Sequence, residues 1–206
     1  MKRIVSILMI LSLLMSLVSL VGCGDKYIYV EISVKDYGKI TVALDDKYAP
    51  ITVENFLSLV DAGFYDGLTF HRIIPGFMVQ GGDPKGDGTG GSDKTIKGEF
   101  TANGVRNPRH HSRGVISMAR SSYVYQGVDL QMDSASSQFF ICHQSSSHLD
   151  GQYAAFGFVV EGIEVVDALC QYVEDRPSVL KDNNGGVKKA DQPVIEYIVR
   201  VDYKAK

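Results

Sequence analysis

The stretch FHRIIPGFMVQGGD, residues 70–83, places one arginine in an apolar run that a Pro-Gly pair interrupts. Pro75-Gly76 is a turn signal, so the residues on its two sides are predicted to pair as antiparallel strands. If the pairing is centred on Gly76, Arg72 lies opposite Gln80, whereas a slip of one residue would reverse the faces. The side-chain carbonyl of Gln80 can then accept a hydrogen bond from the guanidinium of Arg72.

Apolar side chains flank this predicted pair. Phe77 and Met78 lie at the turn end of the hairpin and offer apolar surface beside Arg72. A charged group in such surroundings costs free energy unless it is paired and hydrogen-bonded. The spacing therefore predicts a fixed cation next to an apolar pocket, which is the arrangement of a binding or catalytic site.

Strand-like segments predominate in the rest of the chain. Residues 28–34 and 40–44 alternate apolar and polar side chains around a turn, which predicts a hairpin. Six further strands are predicted at 68–74, 78–81, 114–118, 138–142, 154–160 and 194–203. One predicted helix begins at Pro50 and ends before Gly63, and a second covers about residues 163–172. Many short strands and only two helices indicate a mainly β fold, a closed or nearly closed antiparallel barrel whose ends the helices cover.

The first residues differ sharply from the rest. Lys2 and Arg3 precede a stretch without charge, residues 4–21, after which a glycine and a cysteine follow. A basic start, an apolar stretch and a small residue before the break are typical of a secretory signal. The ending LVGC, residues 20–23, resembles the lipobox of bacterial lipoproteins, in which the cysteine is lipidated and begins the mature protein. An uncleaved membrane helix is the alternative, because an apolar stretch of this length can just span a bilayer.

The chain is accordingly divided into a signal peptide at residues 1–22, a lipidated Cys23 with a short tether over residues 23–26, and one domain at residues 27–206. Several acyl chains on one residue anchor a protein stably, where a single chain binds a membrane only marginally. The expected location is therefore outside the cytoplasm and anchored to the cell membrane of a bacterium.

Charge and cysteine content narrow the function further. The whole chain has a formal net charge of −3; without residues 1–22 it has 19 Lys and Arg against 24 Asp and Glu, a balance of −5. No nucleic acid partner is expected, because such proteins carry a basic patch. Cys142 lies in an apolar run and Cys170 in a helical pattern, so both are predicted to be buried thiols. A disulfide between them, in an oxidising compartment, is the alternative that the sequence does not decide.

Several segments together resemble one protein family. Residues 70–83 resemble the signature of the cyclophilin-type peptidyl-prolyl isomerases. Further matches follow in the family's order: VENFLSLV at 53–60, GTGG at 88–91, GVISMAR at 114–120, SASSQFFIC at 134–142 and LDGQYAAFG at 149–157. The resemblance covers nearly all of residues 27–203. It implies a closed antiparallel eight-stranded barrel capped by helices.

The resemblance also implies site residues. Arg72 corresponds to the catalytic arginine. The residues that correspond to the proline pocket are Phe77, Met78, Phe140 and Leu149, with Tyr153 at the pocket wall. The residues that correspond to its polar rim are Gln80 and Gln138. Ala119 and Arg120 lie where backbone groups of the family hold the substrate. Phe70 and Ile73 are expected in the core instead.

The chemistry that the resemblance implies needs no covalent step, metal ion or cofactor. Rotation about an X-Pro bond is slow because the planar amide loses its resonance, a barrier of ~18–20 kcal/mol. At the twisted transition state the proline nitrogen regains a lone pair, so a donor such as Arg72 that binds the twisted form better lowers the barrier. The expected partners are proline-containing polypeptides, and nothing demands more than a monomer. A binding module or holdase chaperone of the same fold, with incidental turnover, is the alternative.

Other motifs have weaker interpretations. Residues 86–91 fit G-x-G-x-x-G, but no helix pattern follows, so we expect a flexible loop beside the site. His71 is expected to be a packed or hydrogen-bonded neighbour of Arg72. His110-His111 is expected in a solvated loop, with a metal site that uses these or other histidines as the less favoured alternative. The polar stretch 174–191 is predicted to be a surface loop.

Four departures from the family pattern bear on specificity. His148 stands where many well-studied members carry tryptophan, so we expect cyclosporin binding to be weakened more than turnover. Tyr153 replaces a histidine that is usual in animal members, and Arg120 replaces a common asparagine. YVYQGVDL, about residues 123–130, is additional relative to the family. Our hypothesis is that this insertion borders the substrate groove and modifies selectivity; a tolerated surface loop is the alternative.

Overall fold

The computed structural model describes residues 27–121 and 124–204. The predicted signal peptide, Cys23 and the tether lie outside these residues, as does Tyr123 of the insertion. Within the described part of the chain, no helix combines the length and the apolar character that crossing a membrane requires.

Strands dominate the described residues, with two α-helices between them. The strands are β1 (Ile28–Val34), β2 (Gly38–Leu44), β3 (Phe70–Ile74), β4 (Met78–Gly81), β5 (Val115–Met118), β6 (Val124–Tyr125), β7 (Val128–Asp129), β8 (Phe139–Cys142), β9 (Ala155–Glu161) and β10 (Ile195–Val201). The helices are α1 (Pro50–Asp61) and α2 (Ile163–Asp175). Single 3₁₀ turns lie at Thr101–Asn103, Ser147–Leu149, Pro177–Val179 and Lys189–Asp191.

Eight of the strands form one sheet in the order β10-β1-β2-β9-β5-β8-β4-β3, and every neighbouring pair is antiparallel. The sheet curls until its two edges touch. Thr69 and Val194 form a single bridge there, and the N–H of Phe70 donates to the carbonyl of Pro193 at 2.9 Å. The predicted mainly β, antiparallel fold with two helices is confirmed. Contact between the edges is limited to this short segment, without a full ladder between β3 and β10.

The β3–β4 hairpin has the predicted register over most of its length. Arg72 pairs with Gln80, and the two pairs nearer the turn also follow the symmetry about Gly76. Beyond Arg72 the register shifts, so that Phe70 pairs with Gly81 and not with Gly82, the partner that symmetry about Gly76 predicts. The cause is a bulge in β3, because one extra residue on a strand displaces all pairs beyond it.

Helix α1 is positioned by a carboxylate from a distant loop. Proline at its first turn needs no N–H partner, and Ala49 provides no side-chain cap. Glu99 accepts instead from the backbone N–H of Ile51 at 3.1 Å and of Thr52 at 2.7 Å. The helix buries one stripe against the sheet, namely Val53, Phe56, Leu57 and Val60. Helix α2 continues to Asp175, beyond the predicted end.

Aromatic rings fill the interior of the barrel. The ring of Phe56 lies 5.2 Å from that of Tyr65 and 5.6 Å from that of Phe139, measured between centroids. Phe70 and Ile73 are fully buried, as predicted for core residues. Since this interior is already packed with side chains, a substrate site has to lie on the outer face of the sheet.

Candidate active site

A second apolar cluster covers the outer face of the sheet beside the β3–β4 hairpin. Side chains alternate between the two faces of a strand, so Val79 and Ile141 pack in the core while Met78 and Phe140 belong to the second cluster. Its buried members are Met78, Val115, Phe140, Cys142, Leu149 and Ala155, with Ile74, Phe77, Ala119, Tyr153 and Phe158 packed against them. All four predicted proline-pocket residues thus meet in one cluster, together with Ala119 and Tyr153.

The rings of this cluster are held from the sides. The edge of Tyr153 meets Phe140 at 6.0 Å, and the ring of His111 stacks parallel to Phe140 at the same distance. Phe77 packs against His148 with centroids 5.4 Å apart. These contacts leave an apolar surface with a defined shape next to β3.

Arg72 lies at the edge of this cluster with its guanidinium fixed. Nη1 donates to Oε1 of Gln80 at 3.1 Å, as the register predicted. Nε donates to the backbone carbonyl of Asn184 at 2.8 Å, and Nη2 to the Asn184 side-chain oxygen at 3.0 Å. Burial lowers the pKa of Arg72, but arginine stays protonated in proteins. The result is a positive charge in one orientation beside apolar rings.

A relay of amides continues from Arg72 to a glycine-rich loop. Nε2 of Gln80 donates to Oε1 of Gln138 at 2.9 Å, and Nε2 of Gln138 donates to the carbonyls of Gly90 at 2.7 Å and Gly88 at 3.1 Å. Each amide has one donor and one acceptor side, so the cation sets the direction of the whole relay. The two glutamines of the predicted polar rim therefore also orient the arginine.

The buried Asp83 shapes the loop that receives this relay. Its carboxylate accepts the backbone N–H of Lys85 at 2.8 Å, of Asp87 at 3.1 Å and of Gly88 at 2.6 Å. Burial alone would raise the pKa of Asp83, but these backbone hydrogen bonds lower it. The loop that the sequence indicated as flexible is thus held by an internal anion.

The expectation of a solvated His110-His111 loop is wrong for His111. The side chain of His110 is exposed, but His111 is buried, with Nδ1 2.9 Å from Oδ1 of Asp150 and Nε2 3.1 Å from Oγ of Ser117. A carboxylate from a later turn and a strand hydroxyl satisfy both ring nitrogens, which makes burial tolerable. Since His111 stacks on Phe140, this triad supports the pocket from behind.

His71 is packed among its neighbours, and the described residues contain no cluster that could hold a metal ion. His71 is buried against Arg72, and neither of its ring nitrogens has a hydrogen-bond partner among the described residues, so it is packed rather than hydrogen-bonded. Burial lowers the pKa of His71, which favours the neutral ring. Over residues 27–121 and 124–204, no group of three or more His, Cys, Asp or Glu is arranged to hold a metal ion.

Arg120 occupies a structural position at the end of β5. Its Nε donates to the carbonyl of Gln152 at 2.9 Å, and its guanidinium lies 4.8 Å from the Tyr153 ring centre. Nη1 forms an ion pair with Asp129 at 2.6 Å. The backbone N–H of Ala119 donates to the carbonyl of Gln138 at 2.9 Å. The structure thus brings these two predicted residues to the rim of the site, with the side chain of Arg120 directed into protein contacts.

Sequence reasoning missed Asn184. The stretch 174–191 was predicted to be a surface loop, but Asn184 provides two of the three hydrogen bonds of Arg72. The repeated Asn and Gly residues at 183–186 indicated a turn and could not indicate its partner, which lies 112 residues earlier.

Comparison with known proteins supports the resemblance that the motifs suggested. A family model described as "Cyclophilin type peptidyl-prolyl cis-trans isomerase/CLD" matches residues 29–192, which is most of the chain. The chain belongs to the cyclophilin-type peptidyl-prolyl isomerase family.

Relatives of this cyclophilin include peptidyl-prolyl cis-trans isomerase B of Bacillus subtilis, which is 46% identical over 130 residues, 63% of this chain and 82% of the relative. Peptidyl-prolyl cis-trans isomerase A of Dickeya dadantii is 47% identical over 140 residues, 65% of this chain and 67% of that protein. A crystal structure of a Cryptosporidium parvum cyclophilin-type isomerase superposes with a TM-score of 0.70 at 28% identity, covering 87% of this chain and 100% of that one.

The predicted family, fold class and isomerase activity are therefore confirmed. As a cyclophilin, this chain is a peptidyl-prolyl cis-trans isomerase, and its substrates are proline-containing polypeptides. The roles of the individual site residues, the signal peptide and the lipid on Cys23 stay predictions.

Proposed function

We propose that this cyclophilin is anchored outside the cytoplasm by lipid on Cys23 and isomerises X-Pro bonds of exported proteins, with Arg72 as its catalytic residue. The observation that supports the catalytic assignment is the guanidinium of Arg72, which three hydrogen bonds hold at the edge of the outer apolar cluster.

The outer cluster is suited to bind a proline ring. Met78, Phe140 and Leu149 are nearly fully buried there and offer a preformed apolar wall. A pyrrolidine ring has no N–H to satisfy, so its burial against such a wall is favourable. The Cryptosporidium parvum relative has also been crystallised in the presence of the dipeptide Ala-Pro, and that structure superposes with a TM-score of 0.68 at 29% identity, covering 85% of this chain and 99% of that one.

The guanidinium has donors left for the substrate. Arginine has five N–H groups. Contacts with the described residues use three of them, which leaves one on each terminal nitrogen of Arg72. These can donate to the substrate carbonyl or to the proline nitrogen, whose lone pair becomes a better acceptor as the amide twists. A donor that is already oriented needs no reorganisation at that moment, so it lowers the barrier.

The cellular location is inferred from the first residues alone. A basic start, an uncharged apolar stretch and LVGC at 20–23 support export followed by lipidation. Exported chains fold after crossing the membrane, and slow X-Pro rotation limits such folding on a scale of tens to hundreds of seconds. An isomerase fixed at that surface would meet its substrates as they emerge.

The catalytic assignment is tested with the Arg72→Ala variant of the full chain in a protease-coupled assay on a short X-Pro peptide. We expect kcat/KM to fall about a hundredfold, the usual effect of removing one oriented donor. Arg200→Ala is the matched control, because Arg200 is an exposed arginine on β10 that pairs with Asp61 of α1. Turnover that survives in Arg72→Ala would refute the role of Arg72, and a wild-type chain that binds such peptides without turnover would favour a holdase.

A further inference from the structure

Exposed apolar side chains are concentrated in one short hairpin of this chain. Within the described residues, the exposed large hydrophobic side chains are Val124, Tyr125, Val128 and Leu130, at 56–62% exposure, and Ile51 and Val199, at about 42%. The first four lie in the segment 124–130, which we term the insertion hairpin. Single exposed apolar residues are ordinary on a protein surface, but a contiguous group marks an interaction site.

The insertion hairpin has a regular structure. Strands β6 and β7 pair antiparallel, with Val124 opposite Asp129 and Tyr125 opposite Val128. Gln126 and Gly127 connect them with φ of 50° and 80°, the conformation of a tight two-residue turn. Residues directly opposite each other share a face of a hairpin, so Tyr125 and Val128 form one apolar face.

The base of the insertion hairpin is fixed to the wall of the active site. The ion pair between Arg120 and Asp129 is nearly buried, with side-chain exposures of 6% and 12%. The backbone N–H of Ser121 donates to Oγ of Ser134 at 2.9 Å, which closes the base. Arg120 also lies over the ring of Tyr153, the residue whose edge packs on Phe140 in the proline pocket. The base of the insertion hairpin is therefore held beside the predicted wall of the proline pocket.

A cleft connects the hairpin base with the catalytic relay. It has a volume of about 300 Å³, and its lining includes Gln80 and Gln138 of the relay and Arg120, Ser121 and Ser134 at the hairpin base. An extended polypeptide whose proline lies beside Arg72 can follow this cleft toward the hairpin. The base of the insertion hairpin thus borders this cleft, while residues 124–130 themselves do not line it.

We propose that the insertion hairpin binds an apolar stretch of the same polypeptide whose proline occupies the pocket. This inference rests on the proposed function and adds a substrate class: X-Pro bonds in segments with large apolar side chains a few residues away, as unfolded chains expose them. A lipid surface fits the hairpin less well, because residues 121–131 contain no Lys or Arg. Membrane-binding elements combine apolar residues with such charges.

The first test compares two double variants of the full chain. Tyr125→Ser with Val128→Ser removes the apolar face and keeps the turn and the Arg120–Asp129 pair. Ile51→Ser with Val199→Ser is the matched control, since both residues are exposed and apolar but lie on α1 and β10. Each is assayed on a short X-Pro peptide that fills the pocket only, and on a longer one that also carries Leu and Phe beyond it.

We expect the hairpin variant to raise KM for the longer peptide about tenfold with kcat unchanged, the effect of two apolar side chains that no longer contact the substrate. Kinetics on the short peptide and the control variant should not change. An unchanged KM for the longer peptide, or an equal loss on both peptides, overturns the inference. Lack of turnover on the short peptide by the wild type would instead refute the proposed function.

A second test reports on the hairpin directly. The chain contains no tryptophan, so Tyr125→Trp introduces a single tryptophan, whose emission is distinct from that of the tyrosines. We expect its emission to shift to the blue with the longer apolar peptide, and not with a peptide of equal length whose residues beyond the pocket are Ser and Asn. Quenching by brominated phosphatidylglycerol vesicles without peptide would show that the hairpin faces lipid, which overturns the inference.

Discussion

Asn184 determines the orientation of Arg72 more than any other single residue among the described ones, since it accepts from both Nε and Nη2. Gln80 provides the third bond. A guanidinium that can rotate loses its alignment with the twisting amide, although its charge remains. Side-chain partners of this kind act on the chemical step through the group that they hold.

Asn184→Ala removes the bond to Nη2 and keeps the backbone bond to Nε. It should therefore lower kcat about tenfold and leave KM nearly unchanged, because the outer apolar cluster, where we propose that proline binds, is not altered. Steady-state kinetics on a short X-Pro peptide checks this split. Asn183→Ala is the matched control, as Asn183 is an exposed neighbour in the same loop. A rise in KM with constant kcat would show that Asn184 contributes to binding instead.

Asp150 makes stability depend on pH. Burial alone would raise its pKa, but hydrogen bonds from the His111 backbone and from the rings of His110 and His111 lower the pKa to about 2. Between the usual value of 3.8 and about 2, the unfolded chain binds more protons than the folded one, so stability falls as pH falls through this window. The pKa of His111 is lowered mainly by its burial, so protonation below the usual value of 6.5 adds to the loss.

The melting temperature of the wild type, followed by circular dichroism, should accordingly fall from pH 6.5 downward and again between 3.8 and about 2. In Asp150→Asn the second fall should be reduced, because the amide does not titrate. An equally deep second fall in this variant would assign it to other carboxylates.

At the scale of elements, the loop at 181–187 acts as a partial strand beside β3. The N–H of Ile73 donates to the carbonyl of Gly185 at 2.8 Å, and the N–H of Val187 to that of His71 at 2.8 Å. This pairing carries Asn184 to Arg72. It requires a very close approach, since a Cβ on Gly185 would lie 2.3 Å from Cγ1 of Ile74.

Gly185→Ala should lower the free energy of unfolding by about 3 kcal/mol, from positive-φ strain plus overlap with β3, and should lower kcat as the loop moves away. Gly104→Ala is the control, since its φ is also positive at 76° but nothing lies within 4 Å of an added Cβ. That variant should lose about 1 kcal/mol with unchanged kcat. Urea unfolding and peptide turnover measure both effects; equal losses in the two variants would contradict the close-approach argument.

Local pairings were predictable from the sequence, and distant ones were not. Arg72 and Gln80 are eight residues apart around a turn signal, so their contact follows from strand geometry. Asp150 lies 39 residues from His111, and two adjacent histidines among polar residues look exposed until that partner is known. The insertion was noticed only by resemblance, because YVYQGVDL does not have the Asn-Gly or Asp-Gly turn that marks a hairpin most clearly.

At the scale of the whole molecule, one curled sheet separates two apolar clusters with different tasks. The inner cluster includes Phe56, Phe139 and Phe156 and holds the fold together. The outer cluster lies on alternate residues of the same strands, on the face where we propose that the substrate binds. The two-residue period of strands therefore places Phe139 in the core and its neighbour Phe140 in the outer cluster, where we propose that proline binds.

The three cysteines of the chain distinguish the lipid-anchored form from an unmodified one. Cys142 and Cys170 are free and buried, and burial raises the pKa of each thiol to about 12. A thiolate is the reactive form, so neither should react with Ellman's reagent in the native protein. A lipid thioether would block the sulfur of Cys23.

Protein from a bacterial membrane fraction should thus show no reactive thiol when native and two when unfolded in guanidinium. Three thiols after unfolding would mean that Cys23 is unmodified and would refute the proposed anchor. A Cys23→Ala variant should also give two, which shows that neither of the two counted thiols is Cys23. Reaction of two thiols in the native state would instead contradict the burial of Cys142 and Cys170.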